Sequence, residues 1–311
     1  MRAGPDQVID LIGNTPLFRL RQVTRDLPDD VEVYAKAEWF NPGGSVKDRA
    51  AKGIVLDAFE RGLLAKGGTL LDSSSGNTGI AYAMLGAVIG FRVVLCLPQN
   101  ANHERQRTLI AYGTELVLTD PAESSDGAIR KAKEMIAAHP DRYFYADQYA
   151  NDANWRAHYE TTGPELVEQT EARLTHFVTG LGTTGTCTGT GRYLREKLPN
   201  AKVVAFQPDA PFHGLEGLKH LETSIVPPIY DAAVPHEQRS CVTERGYELA
   251  RAVSGTEGLF IGVSSGAAIS IAMEVAREEA EAGRPAVIVA LCPDGGDRYL
   301  SERFWEEGRG T

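Results

Sequence analysis

Along the chain, short apolar runs of strand length alternate with longer amphipathic stretches. In "VEVYAKAEW", Val31 to Trp39, the residues Val31, Val33 and Ala35 oppose Glu32, Tyr34 and Lys36, the period of two expected of a half-buried strand. "SVKDRAAKGIVLDAFERGLL" follows as a helix whose start is marked by Ser45 and Asp48, an S-x-x-D capping box, so Lys47 falls in a first helical turn. Thr69 to Leu71 reads as the end of a strand, "DSSSGNTG" as the loop after it and "IAYAMLGAVIG" as a helix. The run Ile80 to Pro98 imitates a membrane span, but Gly90 and Arg92 divide it into a helix and a strand, each shorter than the roughly 20 apolar residues a span needs.

"FRVVLCL" and "TELVLT" read as strands flanking a helix around "HERQRTLIAYG", followed by the strand "RYFYAD" and the helical "NWRAHYETTGPELVEQ". A second series runs from "THFVTGLGTTGTCTGTGRYLREKL" through the strand "AKVVAF" and an irregular stretch from Gln207 to Pro235. It continues with the helices "TERGYELARAV" and "SSGAAISIAMEVAREEAEAG" and the strand "AVIVALC". This alternation predicts an α/β protein with mainly parallel sheets in two units joined near Tyr149.

Composition narrows the function. A formal charge of −10 over 311 residues, with no Lys/Arg run, argues against nucleic acid as partner. Cys96, Cys187, Cys241 and Cys292 show neither CxxC nor metal-ligand spacing, so no metal site or disulfide framework is expected and a reducing cytoplasm suits them. "MRAGPDQVID" has no apolar core of a secretory signal, so neither export nor membrane attachment is expected. Trp39, Trp155 and Trp305 read as packing residues, and His158 and His176 as ordinary surface or core histidines.

Three glycine- and hydroxyl-rich loops carry the chemistry. Gly180 to Gly185 matches G-x-G-x-x-G between a strand and a helix, the context of a dinucleotide site. Asp209 is a poor ribose partner, however, and the hydroxyls of Thr183, Thr184 and Thr186 suit a compact phosphate monoester better. "SSSGNTG", Ser73 to Gly79, offers hydroxyls, an amide and N–H groups at a helix start, as a carboxylate requires. "GVSSGAA", Gly262 to Ala268, opens another helix. Each alone is ordinary loop chemistry, but a lysine in a structured turn, a phosphate cup and a carboxylate cup are the parts that hold pyridoxal phosphate and an amino acid.

The ordered set "IGNTPL", "NPGGSVKDR", "SSGNTG", "DQYANDAN", "GLGTTGT", "GVSSGA" and "PDGGDRYLS" spans nearly the whole chain and resembles the cysteine synthase family of fold type II pyridoxal-phosphate enzymes. The resemblance implies two doubly wound parallel-sheet domains of the tryptophan synthase β-like type. Residues 40–149 would form the smaller, and residues 1–39 with 150–311 the larger. It implies that Lys47 forms the Schiff base with pyridoxal phosphate and that Asn77 lies beside the cofactor's 3′-oxygen. Gly182, Thr183, Thr184, Gly185 and Thr186 would hold the phosphate, with Ser264 facing the pyridine nitrogen. Ser74, Ser75, Asn77, Thr78 and Gln148 would hold the substrate carboxylate. Two positions depart from the family's usual pattern: Ser74 stands where threonine is common and Thr184 where glycine is common, which bears on loop geometry more than on binding.

The implied reaction is β-replacement on O-acetyl-L-serine or O-phospho-L-serine with sulfide or a sulfur-carrier protein as sulfur donor, giving L-cysteine, in a homodimer. A neutral serine at the ring nitrogen favours prompt expulsion of a β-leaving group, and Lys47 serves as general base. In "HGLEGLKHLETSIVPPIYD", Lys219 stands where phosphoserine-using members carry a basic residue, with His220 as a helper. The alternative is a solvated lysine beside Glu216 and Glu222. Other readings are a cystathionine β-synthase or another replacement with a larger nucleophile, an NAD-dependent oxidoreductase built on the Gly180 loop, and a silent binding homologue.

Overall fold

The computed structural model describes residues 7–74 and 76–306. Its strands are β1 (Leu17–Arg19), β2 (Val31–Ala37), β3 (Thr69–Ser73), β4 (Arg92–Pro98), β5 (Glu115–Thr119), β6 (Phe144–Tyr145), β7 (His176–Gly180), β8 (Lys202–Pro208), β9 (Glu237–Cys241) and β10 (Ala286–Cys292). Its α-helices are α1 (Lys47–Glu60), α2 (Asn77–Ile89), α3 (His103–Ala111), α4 (Ser124–Ala138), α5 (Asp152–Ala157), α6 (Gly163–Gln169), α7 (Gly185–Lys197), α8 (Thr243–Thr256) and α9 (Val263–Glu281). They build two sheets: a six-stranded one ordered β1-β2-β10-β7-β8-β9, in which only β1 runs antiparallel, and a four-stranded parallel one ordered β5-β4-β3-β6. The chain starts in the larger sheet, leaves to make the smaller, and returns, which is the expected α/β class.

Parallel sheets are covered on both faces, so their strands read as near-continuous apolar runs. In β10, Ile288 and Ala290 pack with α8 and α9, while Val289 and Leu291 pack with Leu166 of α6 and Leu194 of α7. In the smaller sheet, Leu70 and Leu95 face α1 and α2, and Leu71, Val94 and Cys96 face Ala128 and Ala132 of α4. Gly90 ends α2 in the left-handed conformation and β4 follows, so Ile80 to Pro98 is a buried helix and strand. No helix among the described residues is long and apolar enough to cross a membrane.

Several local expectations are corrected. α1 begins at Lys47 without a side-chain cap from Val46; the Ser45 hydroxyl accepts from the Lys47 N–H at 3.2 Å and Asp48 reaches back to the Gly43 N–H, so no reciprocal capping box forms. The "NWRAHYETTGPELVEQ" helix is broken: α5 widens into a π turn over His158–Thr162, where the Gly163 N–H donates to the His158 carbonyl, before α6 resumes. Pro164 has no N–H to donate, which removes the ordinary bond to Glu160. "RYFYAD" pairs only at Phe144 and Tyr145. β9, "EQRSC", is a mostly exposed edge strand with no apolar alternation. The helix α4 is absent from the expected elements, although Ala128, Ala132, Met135 and Ile136 have the i, i+4, i+7, i+8 spacing of a buried helix face.

The largest correction is Lys36, assigned to the polar face of β2 yet fully buried. Its Nζ donates to Glu165 at 2.6 Å, to Gln169 at 2.8 Å and to the Thr15 carbonyl at 2.8 Å. Arg49 of α1 pairs bidentately with Glu38 at 2.7 and 2.9 Å and with Glu165 at 2.6 and 2.7 Å. Two cations and two carboxylates thus join β2, the turn after it, α1 and α6 in the interior.

Burial would raise the Glu38 carboxyl, but the adjacent Arg49 and Lys36 outweigh it and hold the value at about 2. Glu38 therefore stabilises the fold fully above its ordinary value of 4.5, and that contribution is lost as pH falls from there through about 2. Glu38→Gln, which leaves Arg49 short of a counter-ion, is expected to cost about 3–5 kcal/mol in urea unfolding at pH 7 and to flatten the acid limb. A loss under about 1 kcal/mol would contradict this account of the cluster.

Candidate active site

The two sheets face one another across a cavity of about 550 Å³, within the range of small-molecule sites. Lys47, Ser74, Asn77, Thr78, Gln148, Gly182, Thr183, Thr184, Thr186, Lys219 and Ser264 all line it. Gly185 opens α7 but is not among the lining residues. Ser75 lies outside the described residues. His220 turns away, with Nδ1 2.9 Å from the Thr223 hydroxyl and Nε2 3.8 Å from Glu222, and does not line the cavity.

Lys47 is placed by backbone pairing at the end of β10: the Val46 N–H donates to the Pro293 carbonyl at 2.8 Å, and Ser45 bridges Asp294. Its Nζ has no hydrogen-bond or ion-pair partner among the described residues. Burial pushes the amine below its ordinary 10.5, with Asp294 opposing. A lysine held this way is readily deprotonated and so available as nucleophile or base.

The loop before α2 is tied inward. The Ser74 hydroxyl accepts from the Gly76 and Gly79 N–H groups at 3.3 and 3.2 Å, Thr78 donates to Gln148 Oε1 at 2.7 Å, and Gln148 Nε2 donates to the Ser73 carbonyl at 3.3 Å. Asn77 Nδ2 donates to Asp294 Oδ2 at 2.7 Å. Across the cavity, the Gly182 loop leads into α7, whose N-terminal N–H groups and dipole favour an anion. A Cβ at Gly182 would lie 2.3 Å from the Gly217 carbonyl, so the stretch 213–231, the loop at the cavity mouth, touches the glycine loop directly. Thr184 adopts φ +70°, a left-handed conformation that glycine takes freely and a β-branched residue does not.

Lys219 is half-buried where it lines the cavity. Its Nζ lies 4.9 Å from the centroid of the Tyr149 ring, and burial pushes it below its ordinary value. Glu216 belongs instead to Arg105, which it pairs bidentately, one contact being 2.9 Å. The Arg105 guanidinium lies 5.5 Å from the Tyr299 ring centroid, and the Tyr299 hydroxyl donates to Asp294 Oδ2 at 2.8 Å.

Arg105, Tyr149, Asp294 and Tyr299 also line the cavity, without a role foreseen from the sequence, and Glu216, expected beside Lys219, lines it as the partner of Arg105. Asp294 and Tyr299 sit inside "PDGGDRYLS", a stretch noticed as a motif but given no role. Asp294 also brings a carboxyl, raised by burial, to the cavity wall that Ser264 lines.

Six residues that line the cavity, Asn77, Arg105, Thr179, Thr184, His213 and Asp294, each carry a buried polar atom without a protein partner among the described residues. Such atoms cost about 1–3 kcal/mol each unless a ligand or water meets them. Together with a helix N-terminus, clustered hydroxyls and an unpaired lysine amine, they fit an aldehyde that carries a phosphate.

Relatives agree with that chemistry. Residues 8–294 match the family described as pyridoxal-phosphate dependent enzyme. A cysteine synthase of Aquifex aeolicus is 47% identical over 98% of this chain and 94% of its own length. The crystal structure of cysteine synthase (OASS) from Entamoeba histolytica superposes with a TM-score of 0.93 at 34% identity, covering 100% of this chain and 94% of that one. The crystal structure of O-ureido-L-serine synthase gives 0.91 at 37% identity, covering 99% and 98%. The chain belongs to the pyridoxal-phosphate dependent enzymes and, within them, to the cysteine synthase family of fold type II.

Thr184→Gly relieves roughly 1–2 kcal/mol of left-handed strain and costs about 0.5–1 kcal/mol in chain entropy. It is expected to leave stability unchanged or raise it by up to about 1.5 kcal/mol in urea unfolding. A loss beyond about 1 kcal/mol would show that the threonine side chain is needed where it stands.

Proposed function

We propose that Lys47 carries the reaction of this pyridoxal-phosphate dependent cysteine synthase, which forms L-cysteine from an O-activated L-serine and a sulfur nucleophile. The observation behind this is the Lys47 amine itself: unpaired among the described residues, lowered by burial, and facing a cavity shared by both loops. Bound pyridoxal phosphate supplies an electrophilic aldehyde and an electron-withdrawing ring that stabilises negative charge at the substrate's α-carbon. Lys47 would hold the aldehyde carbon; Gly182, Thr183, Thr184, Gly185 and Thr186 the phosphate; Asn77 the 3′-oxygen; and Ser264 the ring nitrogen.

Ser74, Ser75, Asn77, Thr78 and Gln148 would fix the substrate carboxylate, aligning its α-hydrogen with Lys47. Once free, the neutral Lys47 Nζ would take that proton as the group on the β-oxygen departs with its bonding electrons, and would return it to the α-carbon after sulfur has added at the β-carbon. The hydroxyl of Ser264 and the tied loop around Thr78 act by orientation, with no charge of their own.

The same reading favours O-phospho-L-serine as donor, because Lys219 lies in the cavity with no carboxylate within ion-pair distance among the described residues, Glu216 being held by Arg105. A departing phosphate dianion requires such a cation in a chain of net charge −10. We take the working form to be a cytoplasmic homodimer supplied with sulfide or by a sulfur-carrier protein; four buried, unpaired cysteines suit a reducing compartment. The units are taken as 40–149 and 1–39 with 150–311, which the division between the two sheets supports.

Lys47→Ala is expected to cut turnover by about a thousandfold or more while far-UV circular dichroism stays unchanged. Near wild-type turnover would remove Lys47 from its role. For the donor, Lys219→Ala should lower kcat/KM about tenfold or more with O-phospho-L-serine alone, roughly 1.4 kcal/mol of transition-state stabilisation. Equal small losses with O-acetyl-L-serine, or no wild-type turnover of phosphoserine, would make acetylserine the donor.

A further inference from the structure

Behind the Gly182 loop, α5 and its π turn lie against the first turns of α7 with almost no space between them. A Cβ at Gly185 would stand 2.0 Å from Asn154 Oδ1, and one at Gly189 would stand 1.9 Å from the Trp155 carbonyl. This close approach lets Asn154 and His158, four residues apart, reach two hydroxyls of the loop. Asn154 Nδ2 donates to the Gln148 carbonyl at 2.7 Å and to Thr183 Oγ at 3.2 Å. The carbonyl of Gln148 fixes the amide's orientation, since a flipped amide would set oxygen against oxygen. Thr183 Oγ is therefore an acceptor from behind, and its own hydrogen is free.

His158 does the same for Thr186. Its Nδ1 lies 2.9 Å from Thr162 Oγ and its Nε2 3.2 Å from Thr186 Oγ. Thr162 is fully buried, and among the described residues the ring is the only partner of its hydroxyl. Were Nδ1 protonated, the Thr162 hydrogen would have no acceptor in a dry interior. Burial, with Arg49 and Lys47 nearby, pushes His158 down to about 3, so the ring is neutral and carries one hydrogen. That hydrogen must be on Nε2, donated to Thr186 Oγ, and the Thr186 hydrogen is free as well.

We propose that Asn154 and His158 are positioning residues that turn the hydroxyl hydrogens of Thr183 and Thr186 into the cavity, so that the loop meets a phosphate with donors on both hydroxyls. This rests on reading the loop as the phosphate site. It gives a role to a histidine that sequence pattern classes as ordinary, and it accounts for the π turn, which sets His158 and Thr162 on either side of one ring bond network.

The test compares binding of pyridoxal 5′-phosphate and of pyridoxal, which lacks the phosphate, to full-length apoprotein. Wild type should bind the phosphorylated form far more tightly. His158→Phe and Asn154→Ala should each weaken that form by about tenfold or more and leave pyridoxal affinity unchanged, and His158→Gln, which keeps an amide donor near the Nε2 position, should recover part of the loss. Equal weakening of both ligands, or of neither, would overturn the inference. A wild type that does not distinguish the two ligands would instead overturn the phosphate-site reading and the inference with it. Nitrogen-15 NMR of the wild-type protein needs no variant: His158 should appear as the neutral Nε2–H tautomer, and an Nδ1–H tautomer would contradict the assignment even if the variants fail to fold.

Discussion

Arg49, held between Glu38 and Glu165 in the interior, is the contact on which the placement of everything else depends. Removing four charges from water is expensive, and a buried pair of this kind is weak evidence of net stability; its geometric effect is the stronger argument. Arg49 lies one residue beyond Asp48 in the first turn of α1, the helix that opens the smaller sheet's half of the chain, while Glu165 comes from α6 on the larger sheet. Any shift of α1 against the larger sheet would leave a charge unpaired, so the helix start has one permitted position. Lys47, two residues before Arg49, is carried to that position without a counter-ion of its own.

From Lys47 the same economy of contacts extends around the cavity wall. Asn77 on α2 bonds Asp294 at the end of β10, Asp294 bonds Tyr299, Tyr299 lies beside Arg105 on α3, and Arg105 holds Glu216 on the mouth loop. The chain of contacts crosses three times between the sheets' territories, so polar partners tie the two sides of the cavity together. On the opposite wall, α5 and α7 are brought together by glycines, and the resulting hydrogen bonds decide which way two threonine hydroxyls point. Both walls orient dipoles before any ligand arrives, which is how a protein lowers the cost of binding and of developing charge.

The sheets and the loops between them were legible because burial on both faces leaves continuous apolar strands, as in "AVIVALC" and "RVVLCLP", and because glycine and hydroxyl clusters mark the turns. Edge strand β9 was not, since "EQRSC" is mostly exposed and carries no apolar period. Lys36 and Glu38 were misread or unread for a different cause: a charged residue on a strand is normally solvent-facing, and only the arrival of α1 and α6, far along the sequence, makes a buried one affordable. Of the site, the motif residues were foreseen by resemblance and the structure gathers all the described ones but Gly185 at the cavity surface. Arg105 and Asp294 carried no assigned role, and His158 read as an ordinary histidine, because their parts in the site are made by partners 111, 217 and 28 residues away, a separation that local pattern cannot register.

The fold delivers Lys47 to the cavity as a buried amine without a hydrogen-bond or ion-pair partner among the described residues. The most direct measurement is competitive labelling of apoprotein lysines with acetic anhydride across pH, read residue by residue by peptide mass spectrometry, with exposed lysines as internal reference. Lys47 should titrate below its ordinary value of 10.5, because burial outweighs the attraction of Asp294. A Lys47 that titrates at or above 10.5 would mean that the amine is solvated or ion-paired, and would contradict the account.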